Sequence, residues 1–427
     1  MLVMICNKIQ HATEEDNNQL SFFILVGLTS LCILVLIFNQ RYYNIIENHI
    51  QPIISDVEIR SRNNVKQHQD PFTIFSERIN LSFLEIQDVV DQQRSNIERD
   101  MENYEYPNGK YGLNISHLDD LVMEKGGRPI RSVILANWRS GSTFVGDVVN
   151  SHPANFYHYE PLLDFGIVQV RGPPLAQSAI VNIYALFNCE YNKLQNYLDF
   201  GKTHPWVFNH NTHLWTQCVI HRKICWDPLF VTKFCRIFPF QSMKLVRLRL
   251  RIAQMLLEDR SLGVRMVLLI RDPRGLMQSR KHRNWCPDSP DCSDPARVCA
   301  DMVSDYEVAV RLREKYPRNF KVLRYEDLSV DPFSNAKELF EFYGLNFHSN
   351  VKNFLETHTK NDFGGVSSTF RNSKAAPFHW RNDLDFEEVE EIQSVCSTAM
   401  RLWGYVLALN ETHQREFNPI AKDYQPL

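Results

Sequence analysis

Val133-Ile-Leu-Ala-Asn-Trp138-Arg139-Ser140-Gly141-Ser142-Thr143-Phe144 is the stretch on which the reading of this chain turns. Val133 to Ala136 is short, apolar throughout and β-branched at its start, the pattern of a strand buried in a parallel sheet. Gly141 permits a tight turn, and Ser142 and Thr143 are good starters for the amphipathic run Phe144-Val-Gly-Asp-Val-Val149. Strand, small-residue turn and helix N-terminus together make an anion site, because free backbone N–H groups and the helix dipole point the same way. Arg139 adds a full positive charge and a planar fork of donors. Read alone, Ser-Gly-Ser is also an ordinary turn. A Walker A loop does not fit, since no glycine stands at the required upstream position and no Gly-Lys-Ser/Thr follows.

A second segment of the same kind lies about 130 residues on: Val267-Leu-Leu-Ile270-Arg271-Asp272-Pro273-Arg274, followed by Gln278-Ser279-Arg280. Here too an apolar run enters a polar turn. A helix starting near Pro273 puts Ser279 almost two turns along, where its hydroxyl can lie beside Arg271 and share a phosphate with it. Lys233 to Arg283 holds thirteen Lys/Arg against three Asp/Glu, although the whole chain is formally −3. That local bias implies an anionic ligand. Arg247-Leu-Arg249-Leu-Arg251 alternates and reads equally as the solvated face of a strand. Two such segments suggest one nucleotide held at both ends, with a transferable group at the first.

Arg139-Ser-Gly-Ser-Thr-Phe-Val-Gly146, with Asn150-Ser-His152-Pro153 and Tyr159-Glu160-Pro161 after it, resembles the 5′-phosphosulfate-binding motif of Golgi carbohydrate sulfotransferases. Leu269-Ile-Arg271-Asp272-Pro273-Arg274 through Ser279-Arg280 resembles their 3′-phosphate-binding motif. Leu323-Arg324-Tyr325-Glu326-Asp327-Leu328, and Arg371-Asn372-Ser373 with Trp380-Arg381, match further downstream. The similarity covers roughly residues 128 to 408. It is closest to the branch that sulfates the 6-hydroxyl of galactose, N-acetylgalactosamine or N-acetylglucosamine.

The resemblance implies an α/β fold, a P-loop-like parallel sheet flanked by helices. It also implies transfer of a sulfuryl group from 3′-phosphoadenosine 5′-phosphosulfate (PAPS) to a sugar hydroxyl. Arg139, Ser140, Gly141, Ser142, Thr143 and Phe144 would hold the 5′-phosphosulfate, with Arg139 standing where many sulfotransferases carry a Lys. Arg271 and Ser279 would hold the 3′-phosphate, and Arg371 a loop closing over the nucleotide. Glu160 is the candidate proton acceptor, with a pKa raised by partial burial; its alternative role is to orient Arg139. His158 is the second candidate base. Trp380 either stacks on the acceptor sugar or packs in the core, and Tyr325-Glu326-Asp327 either serves the site or caps the next element. No metal and no nucleic-acid partner are expected. A P-loop kinase, and a membrane-anchored glycan-binding protein without transfer activity, are the rival functions.

The remaining sequence suits the secretory pathway. Leu20 to Phe38 is nineteen residues without a charge, about enough to cross a bilayer at roughly 1.5 Å per residue. The expected organisation is a cytoplasmic tail (1–19), a signal-anchor (20–38), a stem (39–127) and a lumenal catalytic domain (128–427), giving a single-pass type II Golgi membrane protein. Phe83, Ile86, Val89 and Val90 lie at helical spacing in the stem, which can self-associate into a homodimer or remain a solvated amphipathic helix. Asn80-Leu-Ser82, Asn114-Ile-Ser116 and Asn410-Glu-Thr412 are glycosylation sequons. Eight of the ten Cys lie between Cys189 and Cys396 without a Cys-x-x-Cys pair, which favours disulfides over zinc and leaves their connectivity open. Expected strands are Ser132–Asn137, Lys244–Leu248, Val267–Ile270 and Phe320–Tyr325. Expected helices are Ser142–Asn150, Ala296–Tyr316, Pro332–Tyr343 and Phe386–Leu402. The segment from about Leu162 to Phe240, which should contact the acceptor, carries no readable pattern.

Overall fold

The computed structural model describes residues 71–106, 114–363, 368–422 and 424. The tail, the expected anchor at 20–38 and the first part of the expected stem lie outside them. No helix among the described residues is long and apolar enough to cross a membrane.

Five parallel strands form one sheet in the order β2-β3-β1-β4-β5: β1 Ile130–Ala136, β2 Asn155–Tyr159, β3 Phe240–Leu245, β4 Arg265–Ile270 and β5 Phe320–Arg324. The three central strands are buried at every position, as sheets covered by helices on both faces require. In the register Ile134 lies between Lys244 and Val267, and Tyr159 pairs with Lys244. From β1 the chain passes to the β3/β2 side and then returns to the β4/β5 side. A crevice therefore opens at the carboxyl ends of the strands, where the strand order reverses.

The strand expected at Lys244–Leu248 runs instead from Phe240 to Leu245. Its first half was illegible because Gln241 and Ser242 are polar yet fully buried, Ser242 accepting a bond from Asn155 of β2. Arg247 and Arg249, read as a possible solvated face, are 4% and 3% exposed. Each is paired internally, Arg247 with Glu160 and Arg249 with Asp305.

Helix α1 (Pro71–Asp100) buries Ile86, Val89, Val90 and Ile97 in the same core as the sheet. Burying each such side chain contributes about 1.5–3 kcal/mol. Arg94 pairs with Glu124 and Glu85 with His221. One compact unit thus runs from Asn80 to Leu427, so its N-terminal boundary lies well before residue 128. The stripe on α1 is a packing face, which its sequence period could not distinguish from a solvated helix.

Between β2 and β3 the chain forms five helices, Leu175–Phe187, Gln195–Thr203, Trp206–Asn209, Thr212–Ile220 and Pro228–Arg236. All eight cysteines beyond residue 188 are paired, as Cys189–Cys235, Cys218–Cys225, Cys286–Cys292 and Cys299–Cys396. The first two brace the helical segment. The last ties the long helix Pro295–Lys315 to the helix Phe386–Leu402, closing the longest loop of the four.

Candidate active site

Each strand delivers a polar residue to one crevice from its carboxyl end: Arg139 after β1, Glu160 after β2, Arg247 after β3, Arg271 after β4 and Tyr325 after β5. The crevice is a cavity of about 840 Å³. Arg139, Gly141, Ser142, Thr143, Phe144, Glu160, Arg271, Ser279 and Arg371 all line it. Ser140 does not; its Oγ donates to the Asn137 carbonyl at 2.8 Å and closes the turn.

The first loop is shaped for an anion. Arg139 and Gly141 have left-handed backbone, φ 68° and 87°. A Cβ on Gly141 would lie 2.3 Å from the Tyr325 ring, so only glycine fits. Helix α2 (Ser142–Asn150) follows with no side chain capping it, which leaves its first N–H groups for a ligand. This cradle, closed on one side by an aromatic ring, fits a phosphosulfate.

The second segment meets the first directly. Arg139 Nε donates to Ser279 Oγ at 3.0 Å, and Arg271 Nη1 donates to the Arg139 carbonyl at 2.7 Å. Arg271 also stacks over Tyr325 at 4.7 Å, so one tyrosine packs against both anion loops. Burial, then the charges of Arg283 and Arg271, lower the Arg139 pKa to about 10. Helix α3 (Pro273–Lys281) starts at Asp272, whose carboxylate caps it and pairs with Arg274. Arg280 donates to the Trp138 and Cys292 carbonyls and so fixes the loop from beneath.

Glu160, also left-handed at φ 39°, accepts from Lys244 Nζ at 2.7 Å and from Arg247 Nη1 at 2.6 Å. The expectation of a raised pKa is reversed. Burial pushes this carboxyl up, but the charges of Lys244 and Arg247 outweigh it and hold the pKa at about 2. Glu160 is therefore ionised at any physiological pH, and its ion pairs are with these two residues. Lys244 Nζ also donates to Thr143 Oγ1 at 3.1 Å and lies 3.9 Å over the Tyr159 ring. An ammonium thus sits beside the first loop, supplied by a strand the motif does not include. Sequence reading missed Lys244 and Arg247 as site residues, for which the excess of Lys/Arg was the available signal; Tyr325, whose motif was read as serving either the site or the next element's cap, lines the cavity.

Two candidates lie elsewhere. His158 is 2% exposed on β2, among Phe156 and Phe187, and burial lowers its pKa to about 3. Trp380 is 1% exposed and packs under Arg274 at 4.1 Å, which places it in the core and outside the cavity lining.

Residues 129–404 match the protein family described as "Sulfotransferase domain". The chain belongs to this family. It is 25% identical to carbohydrate sulfotransferase 5 of Mus musculus over 342 residues, 68% of this chain and 85% of that protein. It is 28% identical to carbohydrate sulfotransferase 3 of Homo sapiens over 331 residues, 66% and 68% of the two chains. Similarity to the solved mouse sulfotransferase SULT7A1 complexed with PAP is remote, at 10% identity and a TM-score of 0.35 over 64% of this chain and 84% of that one. As a sulfotransferase, the protein takes its sulfuryl group from PAPS. That assignment displaces the kinase reading and matches a cavity with two linked anion loops.

Proposed function

We propose that this sulfotransferase acts on the 6-hydroxyl of a hexose or N-acetylhexosamine in a glycan, with Glu160 as the proton acceptor. One observation carries the reading. Glu160 is the only carboxylate among the described residues that lines the cavity, and Lys244 joins it to Thr143 of the anion loop. The relatives named carbohydrate sulfotransferases supply the acceptor class.

In the transfer, the acceptor oxygen bonds to sulfur as the bond from sulfur to the bridging phosphate oxygen breaks. The hydroxyl proton passes to Glu160, and charge builds on the departing phosphate. A carboxylate of low pKa suffices as base, because the hydroxyl becomes strongly acidic once its oxygen bonds to sulfur. The first N–H groups of α2, Lys244 and Arg139 are the donors placed to stabilise the charge on the leaving side. Arg271, Ser279 and Arg371 would hold the 3′-phosphate end.

Four disulfides suit an oxidising compartment. With the apolar segment 20–38 they support a Golgi enzyme anchored as a type II membrane protein, its domain lumenal. The test uses the full-length chain in detergent, sulfur-labelled PAPS and a panel of desulfated chondroitin, keratan and N-acetylglucosamine-terminated glycans. Label on carbon 6 of one glycan, lost in Glu160→Gln while the desulfo donor still binds, is the expected result. Donor binding without label on any glycan would overturn it.

A further inference from the structure

Two tryptophans on the cavity wall are left open to solvent. Trp206 is 42% exposed and Trp285 is 40% exposed, and both line the crevice that holds Glu160 and the anion loops. A lone exposed Trp is unremarkable. Two on one cavity wall, from segments far apart in sequence, are a different matter.

Both rings are held in place. Trp206 stands edge-on to His204 at 4.9 Å, and His204 stacks face to face on Phe200 at 3.9 Å. Phe200 and His204 line the same cavity. Trp285 stands edge-on to Trp138 at 6.0 Å and directly precedes the Cys286–Cys292 disulfide. Each indole therefore offers a large, fixed apolar surface whose ordering cost is already met. Sugars present flat patches of C–H groups that pack on such surfaces, while their hydroxyls remain free for polar contacts.

The two positions are not equivalent. Trp285 touches Trp138, over which Arg247 lies at 5.5 Å, and Arg247 holds Glu160 at 2.6 Å. An unbroken run of contacts thus leads from Trp285 to the carboxylate. The ring contacts of Trp206 lead instead into the helical segment between β2 and β3.

Building on the glycan-sulfotransferase reading above, we propose that Trp285 seats the sugar to be sulfated and Trp206 seats a neighbouring sugar of the same chain. The acceptor is then an oligosaccharide of at least two residues, read at two aromatic platforms. The helical segment sets acceptor preference through Trp206, whereas Trp285 serves any sugar placed at the carboxylate.

The experiment compares Trp206→Ala and Trp285→Ala with wild type, each as the full-length chain, on two acceptors. One is a simple glycoside of the sugar found to be sulfated, the other a tetrasaccharide containing it. Trp285→Ala should raise KM about tenfold for both. Trp206→Ala should raise it about tenfold for the tetrasaccharide and leave the simple glycoside unchanged. Trp→Phe at each position should recover most of the loss, and binding of the desulfo donor should stay at the wild-type value in every variant. Unchanged KM on both acceptors in both alanine variants would overturn the platforms. So would equal losses on both acceptors from Trp206→Ala, or a matching loss of donor binding, since either marks a general structural role. A wild-type enzyme that sulfates no glycan at all fails differently, by removing the parent reading.

Discussion

Glu160 and Glu326 each stand just beyond the end of a parallel strand, the first largely shielded at the cavity and the second fully buried, yet they are held in opposite states. Glu160, after β2, faces Lys244 and Arg247, and its pKa falls to about 2. Glu326, after β5, accepts from the Asp272 N–H at 2.9 Å and from the Tyr405 hydroxyl at 3.0 Å. Burial, reinforced by the Asp272 charge, lifts its pKa to about 7. Burial pushes both groups upward; the neighbouring charge decides the outcome. The first anion loop thus lies beside a permanent carboxylate, while the second is braced by a carboxyl that retains its proton up to neutrality.

Removing the charge at the first end should do the most damage. Glu160→Gln keeps the shape but leaves no proton acceptor, so kcat should fall about 10²- to 10⁴-fold with desulfo-donor affinity nearly intact. Single-turnover transfer and equilibrium binding, measured side by side, decide it: near-normal turnover would remove the base assignment. Lys244→Met acts next. It deletes the ammonium at both Thr143 and Glu160, and Arg247 alone then opposes the effect of burial, so the Glu160 pKa should rise. Wild-type kcat should show no acid limb from Glu160 above about pH 4, since the group is ionised throughout that range. The variant should acquire a limb at higher pH, besides losing about 10-fold or more in rate at its optimum. A wild-type limb near pH 6 to 7 would point to an imidazole base instead.

At the second end the expected effect falls on stability. Glu326 has a folded pKa of about 7 against an ordinary 4.5, so between those values the folded state binds the extra proton. The stability it contributes is full below about pH 4.5 and is lost as pH rises to 7, amounting to about 3 kcal/mol. Glu160 has the reverse sign: its contribution is present above pH 4.5 and is lost as pH falls towards 2. Glu326→Gln, a permanent mimic of the neutral form, should flatten the unfolding free energy between pH 4.5 and 7 without changing the acid side. Chemical denaturation across that range measures it, and an unaltered slope would contradict the assignment.

The carboxyl proposed as the proton acceptor was visible in the sequence, but its state was not. Tyr159-Glu160-Pro161 can be read from its motif, whereas Lys244 lies 84 positions away and meets it through the register that sets Tyr159 beside Lys244. Strands β1 and β4 were legible because each contains an unbroken apolar run, Val133–Ala136 and Met266–Ile270. β2 was missed because Asn155 and His158 are polar residues inside the core, which a hydrophobic pattern cannot anticipate. Helix ends agreed where capping was explicit, as at Asp385 with Glu388 before Phe386, and at Asp331 before Pro332. The five helices between β2 and β3 stayed dark: they are short, and disulfides brace them where long periodic faces would otherwise be needed.

Tyr405→Phe offers the smallest change and the finest test of the contrast. The Tyr405 hydroxyl is buried and donates to Glu326 Oε2, a bond that favours the ionised carboxylate. Its loss should cost about 1 kcal/mol of stability at neutral pH. It should also move the Glu326 pKa further up, so the pH window in which stability declines extends above 7. No comparable shift should appear at Glu160, and the acid side of the kcat profile should be unmoved. If Tyr405→Phe instead lowers the upper edge of the window, the hydroxyl must be serving the protonated form. Glu326 would then be the donor in that pair, and the carboxyl beneath the second loop would hold its proton through a directed bond as well as through burial and the Asp272 charge.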